Sequence, residues 1–383
     1  MTDQYDFLVI GAGISGAAAG YELAKHGALL LLEMEERPGY HSTGRSAALY
    51  TPNYGPLPVR QISQAAYPFL RQPPAGFTDH PLLTPRGALT VATRGDEAKL
   101  DGLLANSLSA HPIEEISLGR TMELCPLLRP ETPSRAIYEP GVMDMDVAAM
   151  HQGFLRGLKS HGGVVAPSQE AIGIERVGGI ERVDSMWQVQ ARAGTFRAPI
   201  VVNAAGAWAD LVGQLAGCRP IGLTPKRRTG MIVDAPAAFY RADMPMVDDV
   251  GTEAYFKPDG GRIMASPADA TPVAPQDAQP DDMVIAELAD WLQRYTRVEI
   301  RRISHSWAGL RSFVADESPV VGFDPDRPGF FWLAGQGGFG IMMSGPLGRA
   351  VSELIRHDRL PADLVDRGLR PADLSPIRLN RQD

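Results

Sequence analysis

The chain has 383 residues, of which 44% are hydrophobic, and its formal net charge is −8 at pH 7. This length and composition predict a folded protein with two packed lobes and exclude a fibrous repeat or a disordered chain. The negative charge and the lack of a dense lysine and arginine run disfavour a nucleic-acid partner, because phosphate backbones are bound by clustered cations. No apolar stretch reaches the roughly 18 residues that span a bilayer and no signal-peptide pattern opens the sequence, so we expect a cytoplasmic protein without a transmembrane segment.

The first predicted elements form a strand, a helix and a second strand. Residues 6–10 and 28–32 are short apolar runs typical of buried strands, and Gly27 ends the helix between them. Glu33 closes the second strand, where a carboxylate can accept hydrogen bonds from both hydroxyls of an adenosine ribose. This order of elements predicts a βαβ unit that binds a dinucleotide.

The turn of this unit carries the pattern G-x-G-x-x-G. Gly11 allows the tight turn, Gly13 lets the backbone approach a pyrophosphate, and Gly16 lets the helix pack close to the strand. Ile14 and Ser15 begin the helix, where unpaired N–H groups point toward phosphate. Glycine-rich turns are common, so the prediction depends on the strands and the acidic residue around this one.

The loop after Glu33 is longer than a nicotinamide-binding Rossmann domain needs. Its small residues offer hydroxyl and N–H groups that can follow an extended cofactor, and Arg45 adds a cation. An ordinary surface loop with a solvated arginine is the alternative on composition alone. The predicted cofactor contacts in this region are Met34, Ser42, Thr43, Gly44, Arg45, Ser46, Ala47, Ala48 and Leu49.

The middle of the chain alternates between strand and helix patterns. Residues 89–93, 231–233 and 253–257 are predicted to be strands, and residues 281–297 have the 3.6 period of an amphipathic helix. The proline-rich stretch 271–280 is predicted to be a loop.

Two further segments repeat the order of strand, glycine-rich turn and helix. Residues 200–210 turn at Ala205 and Gly206, and residues 329–348 contain a dense group of glycines. Close packing of a helix on a strand would explain either segment alone. Three such turns in one chain predict one long ligand that crosses several strand ends.

These motifs together carry a resemblance to a known family. The N-terminal fingerprint, S-T-G-R-S-A-A, V-N-A-A-G-A-W and G-Q-G-G-F-G-I resemble the FAD-dependent D-amino-acid oxidase superfamily over nearly the whole chain. Within it, G-Y-H-S-T-G-R-S-A-A, P-K-R-R, Y-F-K-P and W-A-G-L-R-S-F-V-A-D most resemble stretches of the bacterial D-arginine dehydrogenases.

The resemblance implies an α/β fold, α+β overall, in which a Rossmann-type FAD-binding domain is interleaved with a mixed-sheet substrate domain. The first would comprise residues 1–76, 139–211 and 317–383, and the second residues 77–138 and 212–316. Non-covalent FAD is expected, because neither cysteine of the chain lies in the glycine-rich segment through which related enzymes attach it. The two cysteines and eight histidines show no metal-binding spacing, so no metal site is expected. Further expected FAD contacts are Ala171, Ala205, Gly206, Gly337, Gly338, Phe339, Gly340, Ile341 and Met342.

The resemblance also places groups around a substrate carboxylate. It implies that Arg228 and Arg311 bind this carboxylate, since a planar guanidinium donates two parallel hydrogen bonds, and that Tyr255 adds a hydroxyl donor. Arg227 is an alternative ligand, and a salt bridge at a strand end is the alternative for Arg228. Arg311 follows the apolar run W-A-G-L, where an unpaired guanidinium would be costly, so an anion is expected beside it.

The implied reaction is oxidative deamination of a D-amino acid. The substrate must point its α-hydrogen at N5 of the flavin, which accepts a hydride, and its amine must be unprotonated. The imino acid would be hydrolysed to a 2-oxo acid and ammonia, and no side chain is expected to act as acid or base. Tyr54 would cover the pocket, and the carbonyl of Gly338 would accept a hydrogen bond from the amine.

Three positions depart from the D-arginine enzymes. Leu49 stands where they carry a histidine, Ala88 where a glutamate receives the guanidinium, and Met342 where they have a glutamine. Because a buried cationic side chain without an acid costs several kcal/mol, we expect neutral, apolar side chains to be favoured over D-Arg.

Two other functions fit the same motifs. A flavin oxidase or dehydrogenase of secondary amines or 2-hydroxy acids would use the same arginine and tyrosine groups, and a flavin-binding subunit with little turnover would keep the fold. The expected partners are the small-molecule amino-acid substrate and an electron acceptor, either a quinone or carrier or O₂. The expected assembly is a monomer or a weak homodimer.

Overall fold

The structure is a computed structural model that describes residues 3–178 and 185–380. Its strands are, in chain order, β1 (Asp3–Gln4), β2 (Phe7–Ile10), β3 (Leu29–Leu32), β4 (Leu49–Tyr50), β5 (Leu83–Pro85), β6 (Ala88–Ala92), β7 (Glu114–Ile116), β8 (Arg135–Glu139), β9 (Met143–Met145), β10 (Val164–Ala166), β11 (Ala171–Val177), β12 (Met186–Ala191), β13 (Gly194–Ala198), β14 (Ile200–Asn203), β15 (Thr224–Asp234), β16 (Met246–Asp249), β17 (Tyr255–Asp259), β18 (Arg262–Ser266), β19 (Ile303–Phe313), β20 (Val320–Phe323) and β21 (Phe330–Ala334). Its α-helices are α1 (Ile14–Leu23), α2 (Leu57–Arg71), α3 (Lys99–Ala105), α4 (Leu118–Leu124), α5 (Val147–Ser160), α6 (Ala209–Leu215), α7 (Asp282–Tyr295), α8 (Gly340–His357), α9 (Ala362–Val365) and α10 (Pro371–Leu374).

A six-stranded sheet in the order β10-β3-β2-β14-β21-β20 forms the centre of one half of the molecule. The strands from β10 to β21 run parallel, and β20 closes the edge in the antiparallel direction. Helices α1, α5 and α8 pack on one face, while α6 and strand β12 pack on the other. This cover explains why the runs F-L-V-I, L-L-L-L and F-F-W-L-A are buried along their whole length.

The carboxyl ends of β2, β14 and β21 meet at one edge of this sheet, because the three strands are adjacent and parallel. The turns that follow them are the three glycine-rich segments predicted from the sequence. In the first two, the amide of Gly11 donates to the carbonyl of Leu32, and the amide of Ala204 donates to that of Ile10. The edge therefore brings together segments from both ends of the chain and its middle.

An eight-stranded mixed sheet, in the order β19-β15-β18-β17-β16-β6-β8-β7, forms the other half. One face packs on α7 through a core that includes Val91, Val247, Phe256 and Met231. Because side chains alternate between the two faces of a strand, the residues beside these point to the opposite face, toward the strand ends of the first sheet. The predicted fold class, a Rossmann-type domain with a mixed-sheet substrate domain, is confirmed.

Two smaller sheets complete the chain, β1-β13-β12-β11 and β4-β9-β5. The predicted helix at residues 281–297 is observed as α7, which Asp281 caps by accepting hydrogen bonds from the amides of Met283 and Val284. The division into two discontinuous domains remains a prediction. No helix within residues 3–178 and 185–380 has the length and apolarity needed to cross a membrane.

Candidate active site

A cavity of about 540 Å³ lies between the glycine-rich edge of the first sheet and the open face of the second. Most of the predicted cofactor residues border it. These are Gly11, Gly13, Ile14, Ser15, Glu33, Met34, Ser42, Thr43, Arg45, Ser46, Ala47, Ala171, Ala205, Gly206, Gly337, Gly338, Gly340 and Ile341. At its far end the cavity reaches Arg228, Tyr255 and Arg311.

The glycines of the first turn are required by their surroundings. Gly11 has φ of 99°, and a Cβ there would lie 2.5 Å from the carbonyl oxygen of Ala204. A Cβ at Gly16 would overlap the carbonyl oxygen of Gly11, so this residue serves helix packing and does not border the cavity. The turn thus leaves the N-terminal end of α1 open toward the cavity.

Glu33 is buried where β3 ends at the cavity wall. One carboxylate oxygen accepts a hydrogen bond from the amide of Ala12 at 2.8 Å, and the other accepts from the amide of Glu35 at 3.0 Å. Burial raises the pKa of Glu33, and the two backbone donors partly offset that rise. Each oxygen retains a free lone pair, so the carboxylate can still accept from a ribose hydroxyl.

The loop after β3 forms a short 3-10 helix, Ser42–Arg45, which fastens the two halves of the site. The Thr43 hydroxyl accepts a hydrogen bond from the amide of Ile14 at 3.0 Å, and the Ser42 hydroxyl donates to the carbonyl of Leu310 at 2.5 Å. This position explains why the segment is rich in small hydroxyl residues. It differs from the mobile surface loop that composition alone would allow.

Arg45 borders the cavity but its charge is already compensated. Its guanidinium contacts the Asp277 carboxylate at 2.5 Å and donates to the carbonyls of Ala278 and Ala308. The ion pair lowers the pKa of Asp277. Arg45 therefore ties the loop to the proline-rich stretch 271–280, and its contact with the cofactor remains a prediction.

Two buried nitrogen atoms at the cavity wall lack hydrogen-bond partners. They are Nε2 of Gln336 and Nε of Arg228, both in residues that border the cavity. A buried donor without a partner costs about 1–3 kcal/mol, so both atoms indicate an acceptor-bearing ligand. With the glycine turns and the helix end, these donors fit a long polar cofactor followed by an anionic substrate.

Arg228 and Arg311 lie on the same face of the paired strands β15 and β19. Arg311 pairs with Lys226, and Lys226 lies two residues from Arg228 and therefore on the same face of β15. Neither Arg228 nor Arg311 has a salt-bridge partner in the described part of the chain. Burial, followed by the charge of Arg311, lowers the pKa of Arg228. Two neighbouring guanidinium groups without a carboxylate can bind an external anion.

Arg227, the alternative ligand, is engaged elsewhere. Its guanidinium lies 3.5 Å from the Asp269 carboxylate and 3.4 Å from that of Asp281. Adjacent residues on a strand point to opposite faces, so only one of the two arginines can face the cavity. The geometry therefore favours Arg228.

Several predicted residues do not border the cavity. Tyr54 is 51% exposed and packs edge-on against Phe339 with ring centroids 5.0 Å apart. Leu49 forms the short strand β4 opposite Asp144, and Met342 receives a weak contact from the Thr51 hydroxyl at 3.9 Å. The residues that lie off the cavity are Gly16, Gly44, Ala48, Leu49, Tyr54, Ala88, Phe339 and Met342.

The structure adds wall residues that sequence reasoning missed. The His41 and Trp208 rings lie 4.6 Å apart at the cavity, and the His41 Nε2 is 2.9 Å from the Glu35 carboxylate. Trp307 and Met264 line the wall near Tyr255. Of these wall residues, Trp208 could have been found from the sequence, because it ends the V-N-A-A-G-A-W motif. The other wall residues come from distant segments of the chain.

The family comparison agrees with this geometry. The sequence model of the family described as FAD dependent oxidoreductase matches residues 6–354. The chain belongs to this family. Its cofactor is FAD, and the superfamily predicted from the motifs is confirmed.

Individual relatives are more distant. The chain is 26% identical over 393 residues to a glycine oxidase of Geobacillus kaustophilus, an alignment that covers 100% of this chain and 98% of that protein. It is 24% identical to the mitochondrial sarcosine dehydrogenase of Mus musculus, and the alignment covers 95% of this chain but 41% of that protein. The chain thus matches less than half the length of the sarcosine dehydrogenase.

Among solved structures, L-proline dehydrogenase from P. horikoshii superposes with a TM-score of 0.83 at 21% identity, and the superposition covers 100% of both chains. At that identity the likeness establishes the fold alone. The specific resemblance to D-arginine dehydrogenases remains a prediction.

Proposed function

We propose that the protein oxidises D-amino acids by FAD-dependent oxidative deamination. The observation that carries the proposal is the pair of guanidinium groups, Arg228 and Arg311, which face the cavity without carboxylate partners of their own in the described part of the chain. Such a pair suits the carboxylate of an amino acid. The D configuration is supported by the resemblance of the loop and arginine motifs.

Bound FAD supplies the acceptor for the hydride that leaves the α-carbon, and water then hydrolyses the imino acid to a 2-oxo acid and ammonia. Arg228 and Arg311 would hold the carboxylate, and the Tyr255 hydroxyl would add a third donor. A carboxylate fixed at two points limits rotation about the bond to the α-carbon, which is how positioning lowers the barrier. The carbonyl of Gly338 would accept from the amine and keep its lone pair oriented.

The main surface of the cavity would hold the cofactor through residues already described. Glu33 would accept from the ribose, the N-terminal end of α1 would face the pyrophosphate, and the orphaned Gln336 amide would donate toward the flavin. Leu49 and Met342 do not border the cavity, so the predicted preference for neutral, apolar side chains over D-Arg rests on the resemblance.

The deciding experiment is anaerobic bleaching of the bound flavin by a panel of D- and L-amino acids. We expect D-amino acids to remove the visible absorbance of the oxidised flavin, while their L enantiomers leave this absorbance unchanged. Bleaching by L enantiomers alone would contradict the proposed stereochemistry. Failure of every amino acid to bleach would contradict the reaction.

A second candidate is oxidation of small or secondary amines, or of 2-hydroxy acids. It is supported by the names of the relatives, a glycine oxidase and a sarcosine dehydrogenase. The same two arginines would bind the carboxylate of these substrates. Sarcosine, glycine, D-proline and a 2-hydroxy acid belong in the same bleaching panel, and the fastest substrate decides between the two functions.

A further inference from the structure

Two half-buried carboxyl groups, Asp248 and Glu139, lie on the same face of the eight-stranded sheet as Tyr255, which borders the cavity. Asp248 is the cross-strand partner of Tyr255 on one side and of Thr90 on the other. Glu139 is the cross-strand partner of Ala88. Directly paired residues on neighbouring strands point to the same face, with Cβ atoms about 4.5–5.5 Å apart.

Local contacts confirm this side. The Thr90 hydroxyl donates to the Asp248 carboxylate at 3.0 Å, and the Asn53 amide donates to the Glu139 carboxylate at 2.7 Å. Asn53 directly precedes Tyr54, the residue expected to cover the substrate. The α7 side of the same strands is filled by apolar residues, among them Leu89, Val247 and Phe256.

Neither carboxyl group has a cationic partner among the residues that the structure describes. Asp248 is half-buried and pairs directly with Tyr255, a residue of the cavity wall. Burial raises the pKa of Asp248 to about 7, and the negative charges of Asp249 and Glu139 act in the same direction. Burial likewise raises the pKa of Glu139 to about 7, against the hydrogen bond from Asn53.

Two partly desolvated carboxyl groups that lack a cationic partner favour a cationic ligand beside them. The distance across the sheet fits such a ligand. Arg228 lies on β15 and Asp248 on β16, with β18 and β17 between them. Three strand spacings are about 14 Å, a gap that suits an unbranched amino acid once both side chains extend toward it.

We infer that Asp248, with Glu139 beside it, is the recognition group for a substrate side chain that ends in an ammonium. The inference rests on the proposed function and deepens it by naming the substrate class, a D-amino acid of the lysine type. It revises the expectation that neutral, apolar side chains are favoured, which rested on Leu49, Ala88 and Met342. The carboxylate missing at position 88 is supplied by neighbouring strands.

The test measures binding of two ligands that cannot react at an α-amine. 6-Aminohexanoate is lysine without its α-amine, and hexanoate lacks the terminal ammonium as well. Each is titrated into the FAD-loaded protein at pH 8, and the change in flavin absorbance gives Kd. We expect 6-aminohexanoate to bind about tenfold more tightly than hexanoate, as a charge-assisted contact to a buried acid requires.

Asp248→Asn should remove most of this preference and leave hexanoate binding intact, and Glu139→Gln should reduce it. Asp234→Asn is the matched control, because Asp234 is an exposed acid at the end of β15. If Asp248→Asn fails to retain FAD, the inference is decided by the ratio of the two Kd values in the wild type and in Glu139→Gln.

Three results would overturn the inference, and they separate it from the proposed function. Equal binding of both ligands to the wild type would reject ammonium recognition while leaving the arginine pair supported. A preference that survives in both variants would reject Asp248 and Glu139 as its source. If neither ligand binds, the result would contradict the carboxylate site itself, and with it both proposals.

Discussion

Gly338 and Arg311 lie so close that a side chain at position 338 would have to displace the Arg311 guanidinium. A Cβ at position 338 would lie 2.8 Å from Nη1 of Arg311 and 3.1 Å from its Cζ. The guanidinium that we propose as a carboxylate ligand therefore occupies the space that any other residue would fill. The glycine of the third turn and the substrate arginine form one unit.

Gly338→Ala should displace Arg311 and weaken carboxylate binding. We expect the Kd of a carboxylate inhibitor to rise about tenfold, because the methyl group forces the guanidinium from its position. Gly102→Ala is the control, since a Cβ there meets no atom within 4 Å. Unchanged inhibitor binding in Gly338→Ala would contradict this role of the glycine.

Arg228→Met should impair the same site without unfolding the protein. Loss of one or two charged hydrogen bonds corresponds to roughly a 10- to 100-fold rise in Kd or KM for a carboxylate. Arg227→Met should instead lower the Tm and leave ligand binding nearly unchanged, since it removes contacts to Asp269 and Asp281. The reverse pattern would identify Arg227 as the ligand.

The stability of the protein should fall with rising pH between about 4.5 and 7 because of Glu139. Its pKa is raised from 4.5 to about 7 in the folded protein, so the unfolded chain ionises first and is favoured as pH increases. Below pH 4.5 the group is protonated in both states and has no effect. Glu139→Gln should therefore stabilise the protein at pH 8, on the order of 2 kcal/mol, and change little at pH 4.

Chemical denaturation at both pH values measures this difference. Glu114→Gln is the control, because Glu114 is exposed on the neighbouring strand β7. A gain at pH 4 equal to that at pH 8 would show that the substitution acts by packing and not by charge.

Acid precipitation should release the flavin into the supernatant. Cys125 and Cys218 are both buried, and neither lines the cavity formed by the described residues. Visible absorbance of the supernatant after trichloroacetic acid treatment measures the released cofactor. A yellow pellet would indicate a covalent link and contradict non-covalent binding.

Local patterns sufficed for the first half of the site. The glycine turn and Glu33 were predicted because their chemistry depends on a contiguous strand, turn and helix. The choice between Arg227 and Arg228 could not be made from the sequence, since it depends on which face of β15 each residue occupies. Strand pairing with β19 and the two aspartates beside Arg227 decide it.

The grouping of Glu139 and Asp248 on one face of the sheet was beyond sequence reasoning for a related reason. Ala88, Glu139 and Asp248 are far apart in the sequence and become neighbours only through the register of β6, β8 and β16. The resemblance to the D-arginine dehydrogenases implies only that a glutamate is missing at residue 88. Only the sheet shows that other carboxyl groups occupy the same face.

The central strand β14 pairs with β2 on one side and with β21 on the other, although β21 follows it by more than a hundred residues along the chain. During synthesis, the ribosome delivers the first glycine turn early and the turn after β21 near the end. Until then the open edge of β14 has no partner and the flavin site lacks a wall. We therefore expect cofactor capture to be a late step in the biogenesis of this protein, because the edge of β14 gains its second partner only once β21 has been made.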